Sequence, residues 1–235
     1  MGSAQVVDVP TPVGLARAHL HPATGRRSSG SGAVALVLGH GAGGGIGARD
    51  LAALATALPA AGVAVVLVEQ PWRVAGKKVA VAPARLDEAW TAVLAAPALD
   101  GVLRARGARL VVGGRSAGAR VACRTAVATG ADLVVCLAFP LHPPGRPHSS
   151  RVAELVQAGR PTMVVQGERD PFGGPDEVAA AAEAAAQAER RPRVVAVPAA
   201  DHGFKVPAGA SLGQGAALDL VVGAVTRFVL DEPDG

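Results

Sequence analysis

Four short clusters in this chain hold residue types that could do covalent chemistry together. Gly114-Arg115-Ser116-Ala117-Gly118 sets a serine between glycines, after the apolar run Leu110–Val112 and before small, helix-compatible residues. A G-x-S-x-G pattern between a strand and a helix holds its serine on a tight turn, hydroxyl outward. The glycines suit close backbone approach on either side. A serine hydroxyl is a weak nucleophile at neutral pH and needs a base within hydrogen-bond reach. His202, in Asp201-His202-Gly203-Phe204, is the candidate base. A base of this kind needs a carboxylate on its other ring nitrogen to fix the tautomer and stabilise the imidazolium. Asp170, in Gly167-Glu168-Arg169-Asp170, is the first candidate; Glu168 and Asp201 are rivals. Glu168 stands nearer its strand, and Asp201 adjoins the histidine, where neighbouring side chains usually point apart.

Acyl transfer at such a serine also needs two backbone N–H groups for the tetrahedral oxyanion. Ala117, directly after the serine, is one candidate. The glycine-rich segment His40-Gly41-Ala42-Gly43-Gly44 offers the other, with Ala42 favoured and Gly43 next. His142, Trp72 and His40 are candidates for substrate contact. Each has a plainer reading: flanking prolines set His142, Trp72 anchors its loop, and His40 shapes the glycine segment. Arg115, at the variable position of the elbow, reads as a packing or salt-bridge residue.

These clusters need a scaffold that brings distant loops to one place. Gln5–Val9 and Gly14–Leu20 read as two strands around a Thr-Pro turn. Ala33–Leu38, Val63–Val68, Leu110–Val112, Leu133–Ala138, Thr162–Gln166 and Val194–Val197 read as buried strands, without polar alternation. Helices are expected over Asp50–Ala61, Pro83–Ala96 and again near Leu103, from the elbow to Ala128, and over Ser150–Ala158, Asp176–Glu189 and Gly215–Leu230. Arg190-Arg191 would follow the Asp176–Glu189 helix, a polarity its dipole favours. Gln70–Lys78 is expected to be a loop, and Gly25–Gly32 a mobile polar loop. The order implies one α/β domain over residues 1–235: a mostly parallel eight-stranded sheet, opened by an antiparallel hairpin, with helices on both faces. In such sheets the loops at the carboxyl ends of strands share one crevice, and all four clusters follow strands.

The bulk properties narrow the options. A domain of 235 residues buries roughly 70–75% of its unfolded surface and needs no disulfide or metal to fold. No apolar run approaches the ~18 residues of a spanning helix, and Met1–Pro10 lacks the pattern of a signal peptide. Cys123 and Cys136 sit in apolar surroundings as buried thiols, which points to the cytoplasm. The net charge is +4, but the arginines are dispersed and aromatics make up only 3% of residues; a nucleic-acid partner is not expected. His19 and His21 share one face of a strand without a third ligand, so no metal is expected. The partner implied is a small-molecule substrate, with no cofactor and no membrane. Oligomeric state is open.

The four clusters, in this order and context, resemble the α/β-hydrolase superfamily from about Ala33 to Leu230. Gly113-Gly114-Arg115-Ser116 with Arg120, and Phe139-Pro140-Leu141-His142-Pro143-Pro144, are similar to motifs of a small lidless group related to dienelactone hydrolases, the KANL/Tex-like group. The resemblance implies an α/β-hydrolase fold without a large lid and hydrolysis of small carboxylic esters or related acyl compounds. Two other functions compete. Gly39-x-Gly41-x-x-Gly44 after a strand, with Glu69 ending the next, fits a dinucleotide-binding oxidoreductase. The chain would otherwise be a non-catalytic binding protein on the same fold.

Overall fold

The computed structural model describes residues 4–25, 32–104, 107–185 and 191–230. The chain opens with a hairpin, β1 (Gln5–Thr11) and β2 (Gly14–His21). Its turn is tied by the Thr11 hydroxyl, which donates to the Gly14 carbonyl and accepts from the Val13 N–H. Gly14 takes φ +124°, which a side chain would resist. Six strands follow: β3 (Val34–Gly39), β4 (Val63–Glu69), β5 (Arg109–Arg115), β6 (Leu133–Leu137), β7 (Thr162–Gly167) and β8 (Arg193–Val197). They form one sheet in the order β1-β2-β4-β3-β5-β6-β7-β8. β1 and β2 pair antiparallel, β2 meets β4 antiparallel, and every later pairing is parallel.

Strand periodicity divides the core in two. Leu36, Leu38, Val65, Val135 and Val165 face one side, under α1 (Arg49–Ala57) and α8 (Gln214–Leu230). Val37, Val66, Val112, Val134 and Val164 face the other. That side is covered by α3 (Pro83–Leu94), α5 (Ala117–Thr125), α6 (Val152–Val156) and α7 (Pro175–Ala185). Cys123 of α5 and Cys136 of β6 pack here as free buried thiols with sulfurs 3.4 Å apart. On the same side Arg124 bridges Asp87 and Glu154, and Arg120 also binds Glu154, so ion pairs tie α3, α5 and α6 together. Among the described residues, no helix is long and apolar enough to cross a membrane.

Several expected boundaries move, each for a local reason. α1 stops at Ala57, because Pro59 has no N–H to donate; Leu58–Ala61 forms a 3-10 turn closed by Gly62 at φ +83°. Gln70–Lys78 is not wholly loop: Pro71 starts a short helix, α2 (Pro71–Val74), at the position where a helix tolerates proline. α3 ends at Leu94, and Pro97 starts a 3-10 turn that runs into α4 (Asp100–Leu103). α5 ends at Thr125 rather than near Ala128, in a turn completed by Gly130 at φ +69°. β6 stops at Leu137 because Ala138 takes φ +47°. Most of the polar loop expected over Gly25–Gly32, and the end of the helix expected to reach Glu189 with Arg190, lie outside the described residues.

Candidate active site

The elbow is set by close packing of two strands and a helix. Parallel register puts Gly39 of β3 beside Gly114 of β5. A Cβ on Gly114 would stand 2.5 Å from the Gly39 carbonyl oxygen, and one on Gly118 would stand 2.4 Å from the same atom. Only glycines let α5 start this close to the end of β3. Between them Ser116 takes φ 53°, ψ −110°, a conformation costing about 1–3 kcal/mol for a residue with a side chain. Its N–H donates to the Leu137 carbonyl at 2.9 Å, which holds the strained residue against β6.

The turns after β7 and β8 bring two further side chains to that serine. His202 Nε2 lies 3.0 Å from Ser116 Oγ, and His202 Nδ1 lies 2.8 Å from Asp170 Oδ2. With Nδ1–H donating to the carboxylate, Nε2 is free to accept the serine proton. The Asp170 side chain is fully buried and the imidazole is 19% exposed. Two groups fix the carboxylate. Gln166 Nε2 donates to Oδ2 at 2.9 Å, and the Phe172 N–H donates to Oδ1 at 2.9 Å. The Phe172 ring lies 4.3 Å from the His202 ring at a 33° tilt, bracing the imidazole from one side.

The rival carboxylates are engaged elsewhere. Glu168 Oε2 accepts the Ala199 N–H at 2.7 Å, and Asp201 Oδ1 accepts the N–H groups of Gly203 and Lys205. The turn after β7, closed by Asp170 N–H to the Gly167 carbonyl, directs Asp170 inward and leaves Glu168 exposed.

The glycine segment after β3 leans over the serine. A Cβ on Gly41 would stand 3.4 Å from the Ser116 Cβ. Ala42 and Gly43 are exposed, and among the described residues their N–H groups donate to no protein acceptor. Ala42 and Ala117 line one small recess, about 10 Å³, with Trp72, Leu86, Trp90 and Val121. Beyond Trp72 lies a larger groove of about 320 Å³, bordered by Leu15, Gln70, Lys77, Val81 and Arg85. Trp72 is buried and lines both.

His40 braces this segment. Its Nδ1 donates to the Gly41 carbonyl at 2.9 Å, so its Nε2 accepts the Gln70 N–H at 3.1 Å. Trp72 meets the ring edge-on at 5.5 Å. Burial holds the His40 pKa below its ordinary value; the Gly41 carbonyl and Glu69 pull the other way. A neutral His40 ties the loop after β3 to the one after β4 and lines the recess. His142 is held at both nitrogens, by the Pro143 carbonyl at 2.9 Å and Glu177 at 2.8 Å. Its backbone N–H donates to the Phe172 carbonyl, so it steadies the loop that carries Phe172.

The glycine pattern Gly39-x-Gly41-x-x-Gly44 does not open directly into a helix. α1 starts only at Arg49, and Glu69 faces His19 at 3.7 Å. A dinucleotide fingerprint needs its last glycine against the helix that cradles the pyrophosphate. Among the described residues, no group of three or more His, Cys, Asp and Glu side chains is placed to hold a metal ion.

Three contributors were not singled out from sequence. Gln166 is a fully buried polar side chain that follows the apolar Met163–Val165 run of β7, and that was its signal. Phe172 carried no periodic signal. Asp50 read only as a helix-start residue, yet it is fully buried beside Arg115.

Residues 32–230 match the family described as an alpha/beta hydrolase domain. Among curated protein sequences, none matches the chain. The fold is shared with a lidless α/β serine hydrolase from Xanthomonas campestris, at 19% identity and TM-score 0.67, covering 99% of this chain and 98% of that one. An alpha-beta serine hydrolase homologue from Coxiella burnetii superposes with TM-score 0.71 at 19% identity, covering 96% and 99%. A dienelactone hydrolase from Anabaena variabilis gives 0.66 at 19% identity, covering 97% and 99%.

Proposed function

We propose that this chain, which belongs to the alpha/beta hydrolase domain family, hydrolyses small carboxylic esters or related acyl compounds through an acyl-enzyme on Ser116. The observation that carries this reading is the unbroken line from Ser116 Oγ through His202 to the buried Asp170, with links of 3.0 and 2.8 Å. His202 takes the serine proton as Oγ attacks the carbonyl carbon, and Asp170 stabilises the imidazolium that forms. The oxyanion develops toward the N–H groups of Ala117 and Ala42, with Gly43 as the alternative donor; one such donor is worth ~2.7–4 kcal/mol in the transition state. Collapse expels the alcohol, which takes the proton from His202. Water, deprotonated by the same base, then releases the acid. The recess beside Ala42 and Ala117 holds about 10 Å³, room for one water-sized or methyl-sized group, and this favours short acyl chains. The two free thiols fit a reducing compartment such as the cytoplasm.

The test is turnover of a p-nitrophenyl ester series from acetate to octanoate. Hydrolysis of the short members is expected, falling at least ~10³-fold in Ser116→Ala. A folded protein inert on the whole series would instead indicate a non-catalytic member of the family.

A further inference from the structure

A carboxylate with no part in the steps above is sealed behind the site. Asp50, in the first turn of α1, is 0% exposed, and its Oδ2 lies 3.4 Å from Arg115 Nε. Neither of its oxygens, nor that Nε, has a well-formed hydrogen bond. Burying two charges with so few hydrogen bonds is costly, and an apolar pair of similar volume would fill the space without that cost. The other end of Arg115 lies between two loops. Its Nη2 donates to the His202 carbonyl at 2.8 Å. Its Nη1 lies 3.2 Å from where a Cβ on Gly41 would stand, and its Nη2 3.5 Å from that of Gly203. One planar guanidinium, fixed at the variable position of the elbow, therefore touches the loop after β3 and the loop after β8 at once.

We propose that Asp50 and Arg115 form a positioning pair: Arg115 holds the His202 backbone in register with Ser116, and Asp50 cancels the charge that Arg115 places beside the imidazole. The pair rests on the reading of His202 as the base. The charged groups facing His202 are Asp170 after β7, Arg115 at the end of β5 and Asp50 on α1. Arg49, next to Asp50, turns away to Gln214 at 3.0 Å. When the imidazolium forms during attack, Arg115 opposes it and Asp50 favours it. Asp50 feels the same neighbours. Burial raises its carboxyl pKa above the ordinary value, and Arg115, the Leu51 and Asp50 N–H groups and His202 pull only part of the way back. Arginine suits the site because its fork reaches two loops while Nε faces the carboxylate; lysine has a single point of contact.

Two variants separate the charge effect from a loss of shape. Asp50→Asn keeps the shape and leaves Arg115 uncompensated. The acid limb of its kcat/KM profile is expected to move to lower pH by about one unit, and kcat to fall about tenfold on the plateau. Asp50→Asn combined with Arg115→Gln removes both charges. It should return the limb to the wild-type position while the plateau stays low, because His202 has lost its guanidinium donor. An active enzyme whose limb does not move in Asp50→Asn, or whose double variant keeps the shift of the single, would overturn the pair alone. A wild type without Ser116-dependent turnover would remove the functional reading, and the pair with it.

Discussion

The same substitution, glycine to alanine within a helix, is expected to have opposite signs at Gly118 and Gly223. At Gly223 of α8 an added methyl meets only Arg227 Nη1 at 3.5 Å, an ordinary contact. Helix propensity then decides, and Gly223→Ala should stabilise by about 0.5–1 kcal/mol, or roughly 2 °C in Tm. At Gly118 of α5 the methyl would stand 2.4 Å from the Gly39 oxygen, 2.6 Å from the Gly39 carbon and 3.0 Å from the His40 oxygen. All three are backbone atoms and cannot swing aside. Overpacking of this kind costs about 1–3 kcal/mol, only partly offset by propensity, so Gly118→Ala should lose about 1–2 kcal/mol, or roughly 3–6 °C. The displaced backbone is the root of the segment carrying Ala42 and Gly43, and a misplacement of ~1 Å there costs up to about 10²-fold. Thermal melts and kcat/KM on p-nitrophenyl acetate, measured side by side, check both. A Gly118→Ala enzyme as stable as Gly223→Ala, with full activity, would show that the elbow does not depend on this contact.

Trp72→Leu opens the wall between the small recess and the groove beyond it. The butyrate-to-acetate ratio of kcat/KM should rise about tenfold or more; an unchanged ratio would place the acyl group elsewhere. His40 supplies a pH dependence of stability. Its folded pKa lies below the ordinary value, with burial the largest cause, so the unfolded chain binds more protons as pH drops past about 6.5. The stability it contributes is complete above that value and is lost on acidification, at up to ~1.4 kcal/mol per pH unit. Urea titrations across this range should show the slope, and His40→Gln should flatten it; an equal slope in both would refute the assignment. Finally, the Cys123 thiol beside it and burial push the Cys136 thiol well above its usual pKa. Both thiols should resist a chromogenic disulfide reagent until urea unfolds the protein; fast reaction in the native state would contradict this packing.

Much of the scaffold was legible because apolar runs without polar alternation mark strands covered on both faces. The elbow was legible because the spacing of Gly114, Ser116 and Gly118 reports a backbone contact that no other residue type permits. What sequence left open was decided by turn geometry and register. Asp170 and Glu168 are two residues apart, and nothing local says which turns inward; the hydrogen bonds from Gln166 and Phe172 do. The Pro71–Val74 helix is a single turn, too short to show a period. The partnership of Asp50 with Arg115 joins residues 65 positions apart, and it exists only because α1 starts beside the end of β5. Arg115 read as a salt-bridge residue from its place in the motif, but its hydrogen bond to the His202 carbonyl had no signature in the string.

The central claim is that the hydroxyl of Ser116 is a reactive nucleophile made so by His202. Incubation of the native protein with a fluorophosphonate, followed by peptide mass mapping, measures this directly. One phosphonyl adduct on the peptide containing Ser116 is the predicted result, absent in Ser116→Ala and formed far more slowly in His202→Ala. A native protein that takes up no adduct, or a Ser116→Ala variant labelled as fast as the wild type, would contradict the account.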